Sequence, residues 1–190
     1  MFSAVDWFSA EWWEPVLEIW REFALPESET VRELYCAAVG EGRHKVEMEY
    51  ERLFVGPASL PCPPYESMWR TNRPRHEQGM ITGENTAMVR RLYADFGFNI
   101  KQDCHEFADH VAIEFEALAS AMELASEKVK AEEVVIELAR EHLGEWMPSF
   151  CAAVMNQTHL EFYRLLAALT TKLTSLWSSN SLFADIDASK

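Results

Sequence analysis

Apolar residues recur every three or four positions along most of this chain, and runs that alternate apolar with polar residues are scarce. The clearest example is residues 109–127, in which Val111, Phe115, Leu118, Met122 and Ala125 follow one another at intervals of three or four residues. This spacing places one apolar stripe on one face of an α-helix, whereas a strand requires alternation at every second residue. The sequence therefore predicts an all-α fold.

Proline and glycine divide the helical pattern into segments. Helices are predicted over residues 3–12, 30–39, 42–53, 85–96, 109–127, 131–146 and 149–177. A further helix is predicted to start at Pro15. Pro148 is the predicted break between the helices at 131–146 and 149–177. Residues 55–83 hold Pro57, Pro61, Pro63, Pro64 and Pro74. Because this proline density forbids a regular helix, a long irregular loop is predicted, of the kind that is often functional.

Length and charge restrict the classes of protein to which the chain can belong. Its 190 residues suit a single domain over residues 1–178 with a flexible tail over 179–190. With 17 basic and 31 acidic residues, the net charge of −14 argues against nucleic-acid binding and favours a basic peptide as partner, although acidity also simply keeps proteins soluble. The four cysteines form no CxxC pair, and no signal peptide or membrane span is recognisable, so a cytoplasmic location is expected.

The first candidate site lies at the start and in the middle of the predicted loop. Phe54 precedes it, and Pro64, Tyr65, Glu66 and Ser67 stand near its middle. Aromatic and proline residues beside a carboxylate make a rigid, partly apolar surface that suits gripping a peptide. The alternative is a well-packed loop in which Tyr65 is buried and Glu66 caps the next turn.

The second candidate site combines histidines and carboxylates, namely Asp103, His105, Asp109, His110 and Glu114. Three interpretations stay open: a metal site of a helical hydrolase, a general acid–base pair of His110 with Glu114, and a helix start capped by Asp109. The metal interpretation lacks the HExxH spacing in which two histidines share one helix face.

Several segments in fixed order carry a family resemblance. They read Tyr50-Glu51-Arg52-Leu53-Phe54-Val55-Gly56-Pro57, Pro64-Tyr65-Glu66-Ser67-Met68-Trp69, Arg91-Leu92-Tyr93-Ala94-Asp95-Phe96-Gly97 and Asp109-His110-Val111-Ala112-Ile113-Glu114-Phe115-Glu116. Over residues 45–175 the chain resembles the TorD/DmsD family, with its NarJ-like branch, of cytoplasmic chaperones for molybdenum-containing oxidoreductases. One departure is Ala108, where the family usually has proline.

The resemblance implies a single all-helical TorD-like domain that binds the N-terminal leader of a redox-enzyme precursor, often a twin-arginine export signal. It also implies that the chaperone holds the apo-enzyme until molybdopterin is inserted, without being an enzyme or carrying a cofactor or metal of its own. Together with the aromatic and proline cluster, it gives these predicted leader-binding residues: Phe54, Pro64, Tyr65, Glu66, Ser67, Trp69, Asp109, His110 and Glu114. A metal-dependent hydrolase using residues 103–114, or a binder of nucleotide or molybdopterin, remains the alternative.

Overall fold

The computed structural model describes residues 13–15, 18, 28–56, 59–70, 83–125 and 129–178. Its α-helices are α1 (Ser28–Glu41), α2 (Arg43–Tyr50), α3 (Glu66–Trp69), α4 (Glu84–Phe96), α5 (Val111–Ala125), α6 (Val129–Ile136), α7 (Gly144–Gln157) and α8 (Glu161–Ser178). Glu51–Val55 and Glu137–Leu143 are π-helical. Over these residues the only β-structure is one isolated bridge, so the predicted all-α fold is confirmed.

Contacts divide the chain into two compact units. One comprises Met1–Pro63 with Cys151–Thr171, and the other comprises Pro64–Phe150 with Lys172–Lys190. The single domain predicted over residues 1–178 stays a prediction. The predicted helix at residues 3–12, most of the one from Pro15, part of the proline-rich loop and the tail at 179–190 lie outside the described residues. No helix in the described ranges is long and apolar enough to cross a bilayer.

The second unit is built around the apolar faces of α4, α5 and α6. Helix α6 packs against both α4 and α5, and α5 also contacts the π-helical segment Glu137–Leu143. The buried apolar residues of these elements include Val89, Leu92, Tyr93, Phe96, Ile113, Ala117, Leu118, Ala121, Val134, Val135, Leu138 and Leu143. In α5 the buried apolar residues share only Leu118 with the predicted stripe, and Met122 of that stripe is 51% exposed. The helix was therefore predicted correctly, but its buried face was not.

The predicted helix break at Pro148 is wrong. Pro148 lies inside α7, and the chain leaves the helix only between Gln157 and Glu161. Because Pro148 is the fifth residue of α7 and follows a π-helical segment, its missing N–H removes one hydrogen bond at a junction where the bonding pattern already changes.

Two glutamates of the first unit satisfy the backbone at the start of α8. The Glu49 carboxylate accepts the His159 N–H at 2.7 Å and the Thr158 hydroxyl at 3.1 Å, and Glu41 accepts the Glu161 N–H at 2.6 Å. A hydrogen bond from Arg52 lowers the pKa of Glu49 to about 2. The helix therefore begins where acceptors from distant segments reach its free N–H groups.

The end of α4 positions the connector that leads to Asp109. Gly97 has φ 90°, and the N–H groups of Gly97 and Phe98 donate to the carbonyls of Ala94 and Tyr93, which is the geometry of a left-handed glycine cap. The Phe98 ring lies 5.1 Å from that of Tyr93. The Tyr93 hydroxyl in turn donates to the Ala108 carbonyl at 3.0 Å, which anchors the connector beside the helix.

Two glycines give a matched stability test of this cap. A Cβ at either Gly97 or Gly40 would meet no atom within 4 Å, but only Gly97 has a positive φ. Gly97→Ala should therefore lower the free energy of unfolding by about 1 kcal/mol, whereas Gly40→Ala, in α1, should raise it by roughly 0.5 kcal/mol. Urea unfolding of both variants measures the difference; equal effects would contradict the cap.

Candidate functional site

A short antiparallel bridge joins the two clusters that the sequence singled out. The Val111 N–H donates to the Pro64 carbonyl at 2.9 Å, and the Glu66 N–H donates to the Asp109 carbonyl at 2.9 Å. Tyr65 therefore lies opposite His110 as a pair without hydrogen bonds between the two residues. In such a pair the side chains are close and point to the same side.

Successive side chains on either side of the bridge alternate between half-buried and buried positions. Tyr65 and His110 are half-buried, whereas their neighbours Glu66 and Asp109 are 0% exposed. Successive side chains of extended backbone point to opposite faces, so one face carries the two rings and the other carries the two carboxylates. The pairing register thus decides which predicted residues can meet a partner.

Asp109 caps a helix, but not the one predicted. Its Oδ2 atom accepts the Ser67 N–H at 3.1 Å, in the first turn of α3, where the preceding Tyr65 makes no side-chain cap. The interpretation that Asp109 caps the helix that follows it is wrong, because α5 begins at Val111 and His110 is the capping residue there. His110 Nδ1 accepts the Ala112 N–H at 3.2 Å, and the His110 carbonyl accepts the first intrahelical bonds.

Glu66 holds two basic side chains inside the unit. Its carboxylate accepts a hydrogen bond from Arg70 Nε at 2.6 Å and lies 2.9 Å and 3.0 Å from His142 Nδ1. Because an ionised carboxylate only accepts, the His142 Nδ1 atom carries a hydrogen. Arg70 also donates to the Glu141 carbonyl. These bonds tie α3 to the π-helical segment Glu137–Leu143.

Glu114 is the most electrostatically strained member of the buried group. Trp146 Nε1 donates to its Oε2 at 3.0 Å, but Oε1 finds no donor among the described residues, and the same is true of Asp109 Oδ1. Burial, reinforced by the nearby Glu66 carboxylate, raises the pKa of Glu114 well above its usual range. Glu114 therefore holds its proton more tightly than an exposed glutamate does.

The opposite side of the bridge presents what we call the outer face, formed by Tyr65, Glu106, Phe107 and His110. The Tyr65 ring meets those of His110 and Phe107 edge-on at 5.2 Å and 6.0 Å, and its hydroxyl donates to Glu106 at 2.7 Å. Phe107 is 39% exposed. Burial lowers the pKa of His110, against the opposing effect of Glu106, in keeping with a neutral ring that accepts at Nδ1.

Glu106 and Phe107 were missed in the sequence. The available signal was a large apolar residue in an otherwise polar connector, next to the Asp-His pair.

The other predicted residues are placed as follows. Pro64 and Ser67 are buried, and Trp69 is half-buried with its ring 5.7 Å from that of Phe150. Phe54 belongs to the other compact unit, where its ring lies 5.8 Å from that of Tyr163. The structure therefore brings together Pro64, Tyr65, Glu66, Ser67, Asp109 and His110.

The geometry does not favour the metal interpretation. Over the described ranges no three His, Cys, Asp or Glu side chains are grouped as a metal site would require. Asp103 and His105 are exposed on the connector, whereas Asp109 and Glu114 are fully buried and have the partners given above.

The raised pKa of Glu114 predicts a specific pH dependence of stability. The folded state holds this proton more tightly than the unfolded chain, so its stabilising effect is full below about pH 4.5 and is lost as the pH rises through the folded pKa. Glu114→Gln should therefore raise the melting temperature relative to the parent at pH 8, with a difference that shrinks towards pH 4. Glu116→Gln, at an exposed position of α5, is the control and should show no such trend. Parallel curves for Glu114→Gln and the parent protein would refute a raised pKa.

Comparison with known proteins identifies relatives. Residues 22–152 match the family model of the nitrate reductase delta subunit. The chain is 26% identical over 130 residues to the Tat proofreading chaperone DmsD of Salmonella typhi, covering 68% of this chain and 59% of that protein. It is also 26% identical over 137 residues to the chaperone protein TorD of Vibrio parahaemolyticus, covering 69% of this chain and 61% of that protein.

A solved structure supports the fold. The crystal structure of a redox enzyme maturation protein from Archaeoglobus fulgidus matches with a TM-score of 0.54 and 22% identity, over 88% of this chain and 85% of that one. The chain spans about 60% of the length of the DmsD and TorD relatives. Since the family model covers more than half of its residues, the chain belongs to the nitrate reductase delta subunit family, which includes the TorD/DmsD-type chaperones that its motifs resemble.

Proposed function

We propose that this protein is a chaperone, and not an enzyme, that binds the N-terminal leader of a molybdenum-containing oxidoreductase subunit in the cytoplasm. It holds the precursor until molybdopterin is inserted, and where the leader is an export signal it delays export until then. The proposal is supported by the relatives named as Tat proofreading and TorD chaperones. The observation that carries it is the outer face, where Tyr65 and His110 of the two motif segments lie with Phe107 beside the Glu106 carboxylate.

The chemistry of the outer face complements that of a leader. A twin-arginine leader has a basic start followed by an apolar stretch. The edge of Phe107 and the ring of Tyr65 offer apolar and cation–π contacts, and Glu106 offers a carboxylate that a guanidinium binds through two N–H groups. The net charge of −14 also attracts a basic segment from a distance.

The buried carboxylates act by positioning the outer face. Glu66, Asp109 and Glu114 are each 0% exposed, so none meets a peptide in this conformation. The Asp109 carboxylate accepts the Ser67 N–H and so fixes the start of α3, next to Tyr65. Glu66 links the same helix to His142. We therefore assign these three residues, with Pro64 and Ser67, to the support of the face rather than to direct pairing with leader arginines.

Co-purification tests the function. Tagged catalytic subunits of candidate molybdoenzymes from the same genome, each with and without its leader, are co-expressed with the protein. Leader-dependent capture of one subunit is expected and names the client. Capture that survives leader removal would move the binding site to the mature enzyme, and capture of none would contradict the proposal.

Substitutions on the outer face should weaken leader binding. Tyr65→Ala and Phe107→Ala each remove an apolar contact, so the Kd for a labelled peptide corresponding to the client's leader should rise about tenfold. Tyr65→Phe keeps the ring and should cost less. Met122→Ala, which trims another exposed apolar side chain of the same unit, serves as the control. Fluorescence anisotropy measures the affinity, and unchanged binding in both alanine variants would exclude this face.

Asp109 distinguishes positioning from direct pairing with an arginine. Asp109→Asn keeps a side-chain acceptor for the Ser67 N–H but removes the charge, whereas Asp109→Ala removes both. Positioning predicts near-parental leader affinity for the asparagine variant, and for the alanine variant weaker binding with about 1 kcal/mol lower stability. Equal loss of binding in both variants, with the asparagine variant as stable as the parent, would show instead that the charge itself is needed.

A further inference from the structure

An open groove runs along one side of α4 in the second unit. Its volume is about 620 Å³, and it is lined by Gly83, Thr86, Ala87, Arg90, Ala94 and Phe107, together with Arg91. The alanines and Phe107 give it an apolar lining, and its size falls in the range of ligand-binding clefts.

Two cations line this groove in a strongly acidic protein. Arg90 and Arg91 are both exposed, and neither has a hydrogen bond or ion pair with any residue that the structure describes. The other arginines on described elements of the second unit differ, since Arg70 pairs with Glu66 and Arg140 bonds the Trp177 carbonyl. The groove thus offers two guanidinium groups that pair with no described residue, and guanidinium groups bind carboxylates through paired hydrogen bonds.

Phe107 connects the groove to the outer face. Its ring lies 6.0 Å from that of Tyr65 and also lines the groove beside Arg90 and Arg91. The two surfaces therefore have Phe107 in common but prefer opposite charges. The outer face carries Glu106, which accepts the Tyr65 hydroxyl, whereas the groove carries the two arginines.

We propose that this groove binds an acidic, partly apolar segment of the same client protein, next to the site of its basic leader. The assignment of the occupant to the client rests on the proposed function. Charge complementarity selects the occupant: a basic leader is repelled by Arg90 and Arg91, whereas glutamate or aspartate side chains pair with them while apolar neighbours cover Phe107 and Ala87. Both arginines are exposed, which suits a segment lying along the surface better than an enclosed small molecule.

Peptide binding to the full chain tests the groove. The probe is a labelled peptide of about twelve residues in which pairs of glutamates alternate with pairs of leucines, and its glutamine counterpart has the same apolar residues without charge. The Arg90→Gln, Arg91→Gln double variant should bind the acidic probe at least tenfold more weakly than the parent protein. Arg32→Gln and Lys101→Gln, at exposed basic positions elsewhere, should bind it as the parent does.

The outcomes separate this inference from the proposed function. The groove assignment would be overturned if the double variant bound the acidic probe as tightly as the parent protein does. It would also be overturned if the parent protein bound the glutamine peptide as tightly as the acidic probe. Displacement of the probe by GTP at equal concentration would also overturn it, in favour of a small anionic ligand. A leader peptide, measured in parallel, should bind the double variant as it binds the parent. If the parent protein failed to bind the leader but still bound the acidic probe through Arg90 and Arg91, the proposed function would be contradicted while the acidic preference of the groove would stand.

Discussion

The pairing of Glu66 and Ser67 with Asp109 is the interaction on which the rest of the site depends. The Asp109 carbonyl accepts the Glu66 N–H, and the Asp109 carboxylate accepts the Ser67 N–H, so one residue satisfies the first two N–H groups of α3. The register that results turns Tyr65 and His110 outward and the carboxylates inward. Without that register the rings of the outer face would not meet.

The buried acids make this arrangement rigid at an electrostatic cost. Glu66 is compensated by Arg70 and His142, whereas Glu114 has a single indole donor and a pKa raised by burial. Removing one partner of such a group leaves a buried charge or dipole unsatisfied, which costs more than the pair contributes. Such a network favours one conformation of the two motif segments over alternatives, and it explains why acidic residues stand where no peptide reaches them.

Helix periodicity and the glycine cap at Gly97 could be predicted because both depend on local sequence. The predicted break at Pro148 failed because the π-helical segment before α7 already changes the hydrogen-bonding pattern near that residue. The actual break near Thr158 depends on acceptors from Glu41 and Glu49, which are distant in sequence. The same limit applies to the site. Both motif segments were recognised, but which side chains face outward follows from their pairing register, which spacing along one segment does not encode.

Hydroxyl-radical footprinting of the protein with and without its client's leader would show where the leader binds, because the method reads the solvent exposure of individual side chains. We expect Tyr65, Phe107 and His110 to become protected from oxidation on leader binding. Met48 and Met122, which are exposed and readily oxidised, should stay unchanged. Protection elsewhere, with the three rings as reactive as in the free protein, would contradict the claim that the bridge between the two motifs builds the leader-binding face.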